Sequence, residues 1–249
     1  KIFWGKENLV SILELGPNIT IPNEKLTTDR FLIVMEGTIN LKNEDNNLKM
    51  ISKNREEPDG THSGTPKMDF IFQKKGSDSE IVVGDEAAKV MEVYNPIRLD
   101  YLEKIGITDL PSEIQERSTS IQATIVPNTV YDFYDIQLTQ IKKGVFTRLV
   151  SAGNMQLSLV TADPNAESQA HIHPEEQITL LLRGSLTETV LDKKLNLEPK
   201  DIAFVPGNMV HANITGDTGF DALEIFNPIR EDCRVDKGNF TPSLSQNRT

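Results

Sequence analysis

Residues 171–184 read HIHPEEQITLLLRG and residues 201–211 read DIAFVPGNMVH. His171 and His173 stand two apart among alternating apolar residues, so on a strand both imidazoles share one face. Gln177 keeps the even spacing, and the same alternation turns Glu176 away. Gly184 and the residues from Asp192 onward suggest a turn, after which IAFV at 202–205 returns as a second strand towards His211. Three imidazoles and an amide oxygen converging inside a barrel make a mononuclear site for a divalent transition metal. The chain has only 4 histidines, and three of them fall in this pattern.

The sequence also repeats itself. MEVYNPIR at 91–98 returns 132 positions later as LEIFNPIR at 223–230, and DFIF at 69–72 pairs with DIAF at 201–204 at the same offset. Upstream the offset becomes 147, pairing FLIVMEG at 31–37 with ITLLLRG at 178–184. The 15 extra residues of the first copy are expected in the polar run from Asn43 to Lys67, read as a long mobile loop in which His62 is solvated. Through these offsets Glu24, Leu26 and Arg30 stand opposite His171, His173 and Gln177, and Ser79 opposite His211. The first copy has no imidazole there, so it is expected to be metal-free, with one divalent metal per chain.

Two copies of a β-rich unit predict an all-β fold, two tandem jelly-roll barrels with short linking helices. The boundaries read as a first barrel over 1–98, a linker with short helices and extra strands over 99–140, and a metal-binding barrel over 141–249. DYLEKI at 100–105 and PSEIQER at 111–117 supply the helical stretches.

Composition limits the partners. Asp plus Glu is 37 against 26 Lys plus Arg, a net charge of -11 with no basic cluster. Nucleic acid and anionic membranes are therefore poor partners. No apolar run approaches the roughly 20 residues that span a bilayer. Cys233 is the 1 cysteine and reads as a bystander, with no internal disulfide framework. The chain opens at Lys1 directly on the apolar Ile2–Trp4, so removal of a preceding segment is expected. N-x-S/T sequons stand at Asn18, Asn213, Asn239 and Asn247.

The histidine pattern resembles that of the cupins. Their first motif is H-x-H, three or four residues, a Glu, six residues and a Gly, and their second ends in Pro, a few residues and His. Here Pro174, Glu175 and Glu176 separate His173 from the fourth ligand position, six residues lead on to Gly184, and Pro206 precedes His211. Gln177 departs from the pattern by replacing Glu. Losing that negative charge leaves the ion a stronger Lewis acid, less tightly held. Such a site suits polarising a substrate oxygen better than high-valent redox chemistry. Ligand type leaves Zn, Fe, Mn, Ni, Co and Cu open.

The segment EIFNPIR at 224–230 is the second carrier of chemistry. Glu224 and Phe226 share a strand face, and Arg230 follows Pro228, giving a carboxylate, an aromatic wall and a guanidinium. Glu92, Tyr94 and Arg98 hold the same places in the first copy, so bracing the closing turn is the competing role. This ending is similar to that of the pectin-degradation cupins, which open 4,5-unsaturated uronates to linear keto acids. They bind metal through two His, a Gln and a further His, followed by an acidic residue, a Phe and an Arg at this spacing. The resemblance implies that Glu224 moves protons while Phe226 and Arg230 hold the substrate. It departs in having Glu for Asp, three residues rather than four before Gln177, and a degenerate second barrel. The bicupin isomerase of bacilysin biosynthesis is similar in its Gln and its spacing, but carries metals in both halves.

The expectation is thus a metal-dependent isomerisation or ring opening of a small carboxylated sugar or keto acid by a monomer or homodimer. Its compartment, cytoplasmic or periplasmic, is left open. The alternatives are a cupin dioxygenase with an apolar cavity, and a non-catalytic sugar-acid binding module with a closed coordination sphere.

Overall fold

The computed structural model describes residues 1–43, 46–53, 67–107 and 123–230. His62, Cys233, the PSEIQER stretch, and the sequons at Asn239 and Asn247 lie outside the described residues. Those residues divide into two compact units, with residues 125–133 in the first and 134–230 in the second.

In the first unit the strands are β1 (Ile2–Trp4), β2 (Leu9–Leu15), β3 (Thr20–Lys25), β4 (Asp29–Lys42), β5 (Asn47–Lys53), β6 (Lys67–Gln73), β7 (Asp78–Val83) and β8 (Ala88–Asn95). The short helix α1 (Leu99–Lys104) follows, and β9 (Val130–Asp132) adds to the edge of β6. The strand order is β1-β2-β8-β4-β5-β6-β9, with β7 pairing β3 and β4, and β6 also pairing β4. In the second unit come β10 (Leu138–Lys142), β11 (Val145–Ala152), β12 (Met155–Ala162), β13 (Glu167–His171), β14 (Glu176–Val190), β15 (Lys193–Leu197), β16 (Ile202–Val205) and β17 (His211–Asn227). Their order is β10-β11-β12-β17-β14-β15, with β13 on β17 and β16 on β14. The described residues are therefore all-β, two tandem jelly rolls with little helix. No helix among the described residues is long and apolar enough to cross a membrane.

The two offsets hold strand by strand. Arg30 pairs Tyr94 in the first unit as Gln177 pairs Phe226 in the second, and Glu24 pairs Ser79 as His171 pairs His211. Each unit fills its interior with aliphatics: Leu32, Val34, Ile39, Leu41 and Val90 in the first, Val160, Leu181, Leu186 and Ala222 in the second. Asn95–Pro96 and Asn227–Pro228 are both cis, a further sign of the repeat.

Two expectations are corrected. Gly184 does not open a turn: it lies within β14, at a bulge where the register against β17 shifts. Its φ is +79, and a Cβ there would lie 1.9 Å from the Gly219 carbonyl oxygen. Gly37 repeats the φ of +79, with the Ala87 oxygen at 2.5 Å from such a Cβ. Only glycine accepts both the conformation and the close backbone, so each bends one long strand rather than ending it. Likewise, the polar run after Asn43 is not all loop, because Asn47–Lys53 form β5. Met50 is buried and Leu48 packs on the core between lysines that face out, a period-2 pattern masked by the surrounding charge. β5 corresponds to β15, so the insertion falls after Lys53.

Candidate metal centre

Three separate pieces of chain bring the ligands together. His171 ends β13, His211 opens β17, and the two pair across the sheet. His173 is not on the expected strand but just beyond it, in the turn before β14, where its carbonyl accepts the Asn208 amide at 2.7 Å. Gln177 is on β14 rather than on the strand that carries His171. Even spacing across the turn nonetheless brings all four together. Ring centroids are 4.2 Å apart for His171 and His211 and 4.8 Å for His173 and His211. One ring nitrogen from each histidine lies within 4.8 Å of the others.

The hydrogen bonding fits a cation. Each Nδ1 faces a backbone carbonyl: Gln169 at 2.9 Å for His171, Glu175 at 3.0 Å for His173, and Met209 at 2.9 Å for His211. A carbonyl only accepts, so each Nδ1 carries the proton and each Nε2 keeps its lone pair. Nε2 of His211 is buried without a hydrogen-bond partner. Nε2 of His173 lies 3.3 Å from Oε1 of Gln177. That amide is turned oxygen-first because its NH2 donates to Thr179 Oγ1 at 3.0 Å and Glu224 Oε1 at 3.3 Å. Lone pairs facing one another in a buried site call for a positive centre between them. Burial, helped by the nearby Arg230 charge, holds His173 at a pKa of about 4. His211 is also depressed by burial, against the pull of the Met209 carbonyl. Neutral imidazole is the ligating form. A divalent ion held by His171, His173, His211 and Gln177 would act as a Lewis acid on a bound oxygen.

The second group of expected residues meets the first. Gln177, His171, His211, Glu224, Phe226 and Arg230 line one cavity of about 80 Å³. The Arg230 guanidinium lies 5.1 Å over the Phe226 ring, whose edge faces His173 at 5.9 Å. Desolvation raises Glu224 to about 7, against the pull of Arg230 and Lys142.

The first unit holds an organic cation at the equivalent place. Arg30 is buried and donates to Glu92 Oε1 at 2.8 Å, Ser79 Oγ at 3.0 Å, and Gln73 Oε1. A guanidinium tethered to the backbone thus starts from the position of Gln177 and reaches Ser79, the counterpart of His211, and Glu92, the counterpart of Glu224. The matching arginines also differ in their surroundings. Arg98 donates to Glu24 at 2.9 Å and to Asp100, and stacks 4.0 Å over Tyr101. Arg230 instead lies over the Phe226 ring in the cavity that His171 and His211 line.

Sequence reasoning passed over several polar groups here. Lys142, Ser168 and Asn213 line the cavity, which turns the Asn213 sequon inward. Glu188 is buried on β14 beside Asn213, whose side chain donates to it. The repeat held the signal, since the offsets place leucine and isoleucine at the matching positions.

Residues 158–226 match the family model described as Cupin domain. No curated protein matches the chain by sequence. Among solved structures, AerE from Microcystis aeruginosa is similar at a TM-score of 0.64 and 12% identity, over 92% of this chain and 91% of that one. A salicylate 1,2-dioxygenase from Pseudoaminobacter salicylatoxidans gives 0.64 and 11%, over 89% and 72%. The oxalate decarboxylase of Bacillus subtilis, which has Mn(II) centres, gives 0.58 and 17%, over 89% and 69%. At these identities the likeness shows the shared fold, and the Cupin domain match lies within the second unit.

The ligand set sets an expected stoichiometry. Among the described residues one three-histidine cluster is present, so the purified protein is expected to hold about one equivalent of divalent metal, measured by elemental analysis. His173→Ala should abolish binding while leaving the strand signal in circular dichroism intact, because two aliphatic cores hold the sheets without the ion. A second equivalent that survives His173→Ala would show a further site.

Proposed function

We propose that the second unit is a metal-dependent active site for non-redox isomerisation or ring opening of a small carboxylated sugar, unsaturated uronate-like, or of a keto acid. The observation that supports it most is Glu224, a carboxyl titrating near neutrality that bonds the ligand Gln177 and shares a cavity with Arg230. A group with a pKa close to ambient pH both takes and returns a proton efficiently. Arg230 offers a planar fork for a carboxylate, with Phe226 fixing its plane by a cation–π contact.

Ring opening of an unsaturated uronate needs little else. The anomeric hydroxyl loses a proton, the ring C–O bond breaks to leave an enolate, and one carbon is protonated. One proton is lost, one gained, and no electron changes hands. In this reading Glu224 carries that proton, and the Arg230 charge in the same cavity offsets the charge that develops.

The test is incubation of metal-loaded protein with 4,5-unsaturated galacturonate, followed by ultraviolet absorbance and NMR. Loss of the conjugated alkene with appearance of a linear keto acid is expected. No change with this substrate or with small keto acids would sink the reading, and oxygen uptake during turnover would replace it with a dioxygenase.

A further inference from the structure

We propose that Ser168, Asn213 and Glu188 form a hydroxyl-binding subsite beside the metal ligands, which selects small acids that also carry hydroxyl groups. The inference rests on the reading that Arg230 takes the carboxylate, and adds the other end of the molecule.

The argument comes from the repeat. Ser168 on β13 pairs Asn213 on β17, which pairs Glu188 on β14, so the three lie side by side across adjacent strands. The same registers in the first unit hold Ile21, Ile81 and Leu41. There, Ile81 and Leu41 are buried members of the aliphatic core and Ile21 packs against it. One place in one fold is thus apolar in the first unit and polar in the second. Packing does not require the polar version, because the apolar version fills the same sheet in the same chain.

The polar version also carries a cost. Glu188 is 1% exposed, and what faces its carboxyl is the neutral Asn213 side chain, which donates to it, and the like charge of Glu224. A buried polar group in that state is destabilising relative to an aliphatic side chain of similar size. A site that loses stability for polarity is best explained by a ligand that uses it.

Position agrees. Asn213 is two residues beyond the ligand His211 on β17, so both face the same way. Asn213 and Ser168 line the cavity together with Glu224 and Arg230, and Glu188 is the cross-strand neighbour of Asn213. Burial, and then the Glu224 charge, push Glu188 up to about 8, so at neutral pH it is mainly a neutral acid that both donates and accepts. An amide, a hydroxyl and a neutral carboxyl offer mixed donors and acceptors, which matches an alcohol better than a second anion.

The test replaces the subsite by its counterpart from the first unit: Ser168→Ile, Asn213→Ile and Glu188→Leu together, with Asn213→Ile and Glu188→Leu singly in case the triple fails to fold. Zinc-loaded proteins are titrated calorimetrically with glycerate and with propionate, which differ in two hydroxyls. The wild type is expected to favour glycerate. The variants should lose about tenfold in glycerate affinity, the worth of one good hydrogen bond, with propionate changed less than about twofold and metal content unchanged. An unchanged glycerate-to-propionate ratio in a folded, metal-loaded variant overturns the subsite, since it assigns the preference to chelation by the ion. Arg230→Lys separates the two readings. If it leaves both acids unaffected while the subsite variants still collapse the ratio, the carboxylate role fails and the subsite stands. Failure of the wild type to bind either acid overturns both.

Discussion

Arg30→Leu is expected to destabilise the first unit by about 3–5 kcal/mol, the cost typical of removing one partner from a buried ion pair. In calorimetry this is a fall in its melting temperature on the order of 15 °C or more. Arg30 is 5% exposed and Glu92 2% exposed, and their 2.8 Å contact is the centre of a network that includes Gln73 and Ser79. Leucine would leave the Glu92 carboxylate and the Gln73 carbonyl facing an aliphatic group with no water to replace the guanidinium. The damage should be reversible by design. Adding Glu92→Leu removes the orphaned charge, and replacing a buried pair by packed aliphatics is often neutral or stabilising. The double variant should therefore melt well above the single one. If the single variant melts within a few degrees of wild type, the guanidinium does not hold this interior together.

That network explains why one half of a repeated sequence keeps a metal pattern and the other does not. Inward polar groups that converge in a buried place call for a positive centre. In the second unit the neutral imidazoles and the Gln177 oxygen leave that role to an ion. In the first unit a long side chain supplies the cation covalently, and Ser79, Gln73 and Glu92 are its acceptors.

Much of this was legible in the sequence, for definite reasons. The H-x-H spacing survives the end of β13 at His171 because the turn after it is short and tightly hydrogen-bonded. The offsets of the repeat predict strand registers, since insertions fall between strands and leave pairing alone. Gly184 was misread because a glycine in an apolar run signals either a turn or a bulge, and only the approach of Gly219 decides. β5 was hidden because a strand with one buried face offers only Leu48, Met50 and Ser52 against charged neighbours. Glu188 escaped notice because an acidic residue in a stretch rich in Thr and Glu reads as surface. Its burial comes from the strand bulges, which switch the inward-facing parity between Leu181 and Leu186.

Arg230→Lys should lower kcat/KM for the carboxylated substrate about a hundredfold, ~3 kcal/mol of transition-state binding. A guanidinium grips a carboxylate through two parallel N–H donors, while an ammonium on a flexible stem offers one point charge and no planar match. The cation–π contact with Phe226 at 5.1 Å, which orients the fork, weakens as well. Arg98→Lys is the matched control, because NPIR is identical in the two copies. Arg98 is committed to Glu24 and Asp100 and stacked on Tyr101, so its loss should lower the stability of the first unit and leave turnover within about twofold. Arg230 instead lines the cavity that holds His171, His211 and Glu224, with its guanidinium over the Phe226 ring. The two substitutions are therefore expected to separate cleanly, one affecting activity and the other melting temperature. Equal losses of stability from both, with remaining activity tracking folded protein, would make Arg230 a brace like Arg98. That outcome would remove the carboxylate anchor, and with it the main support for a uronate-like substrate.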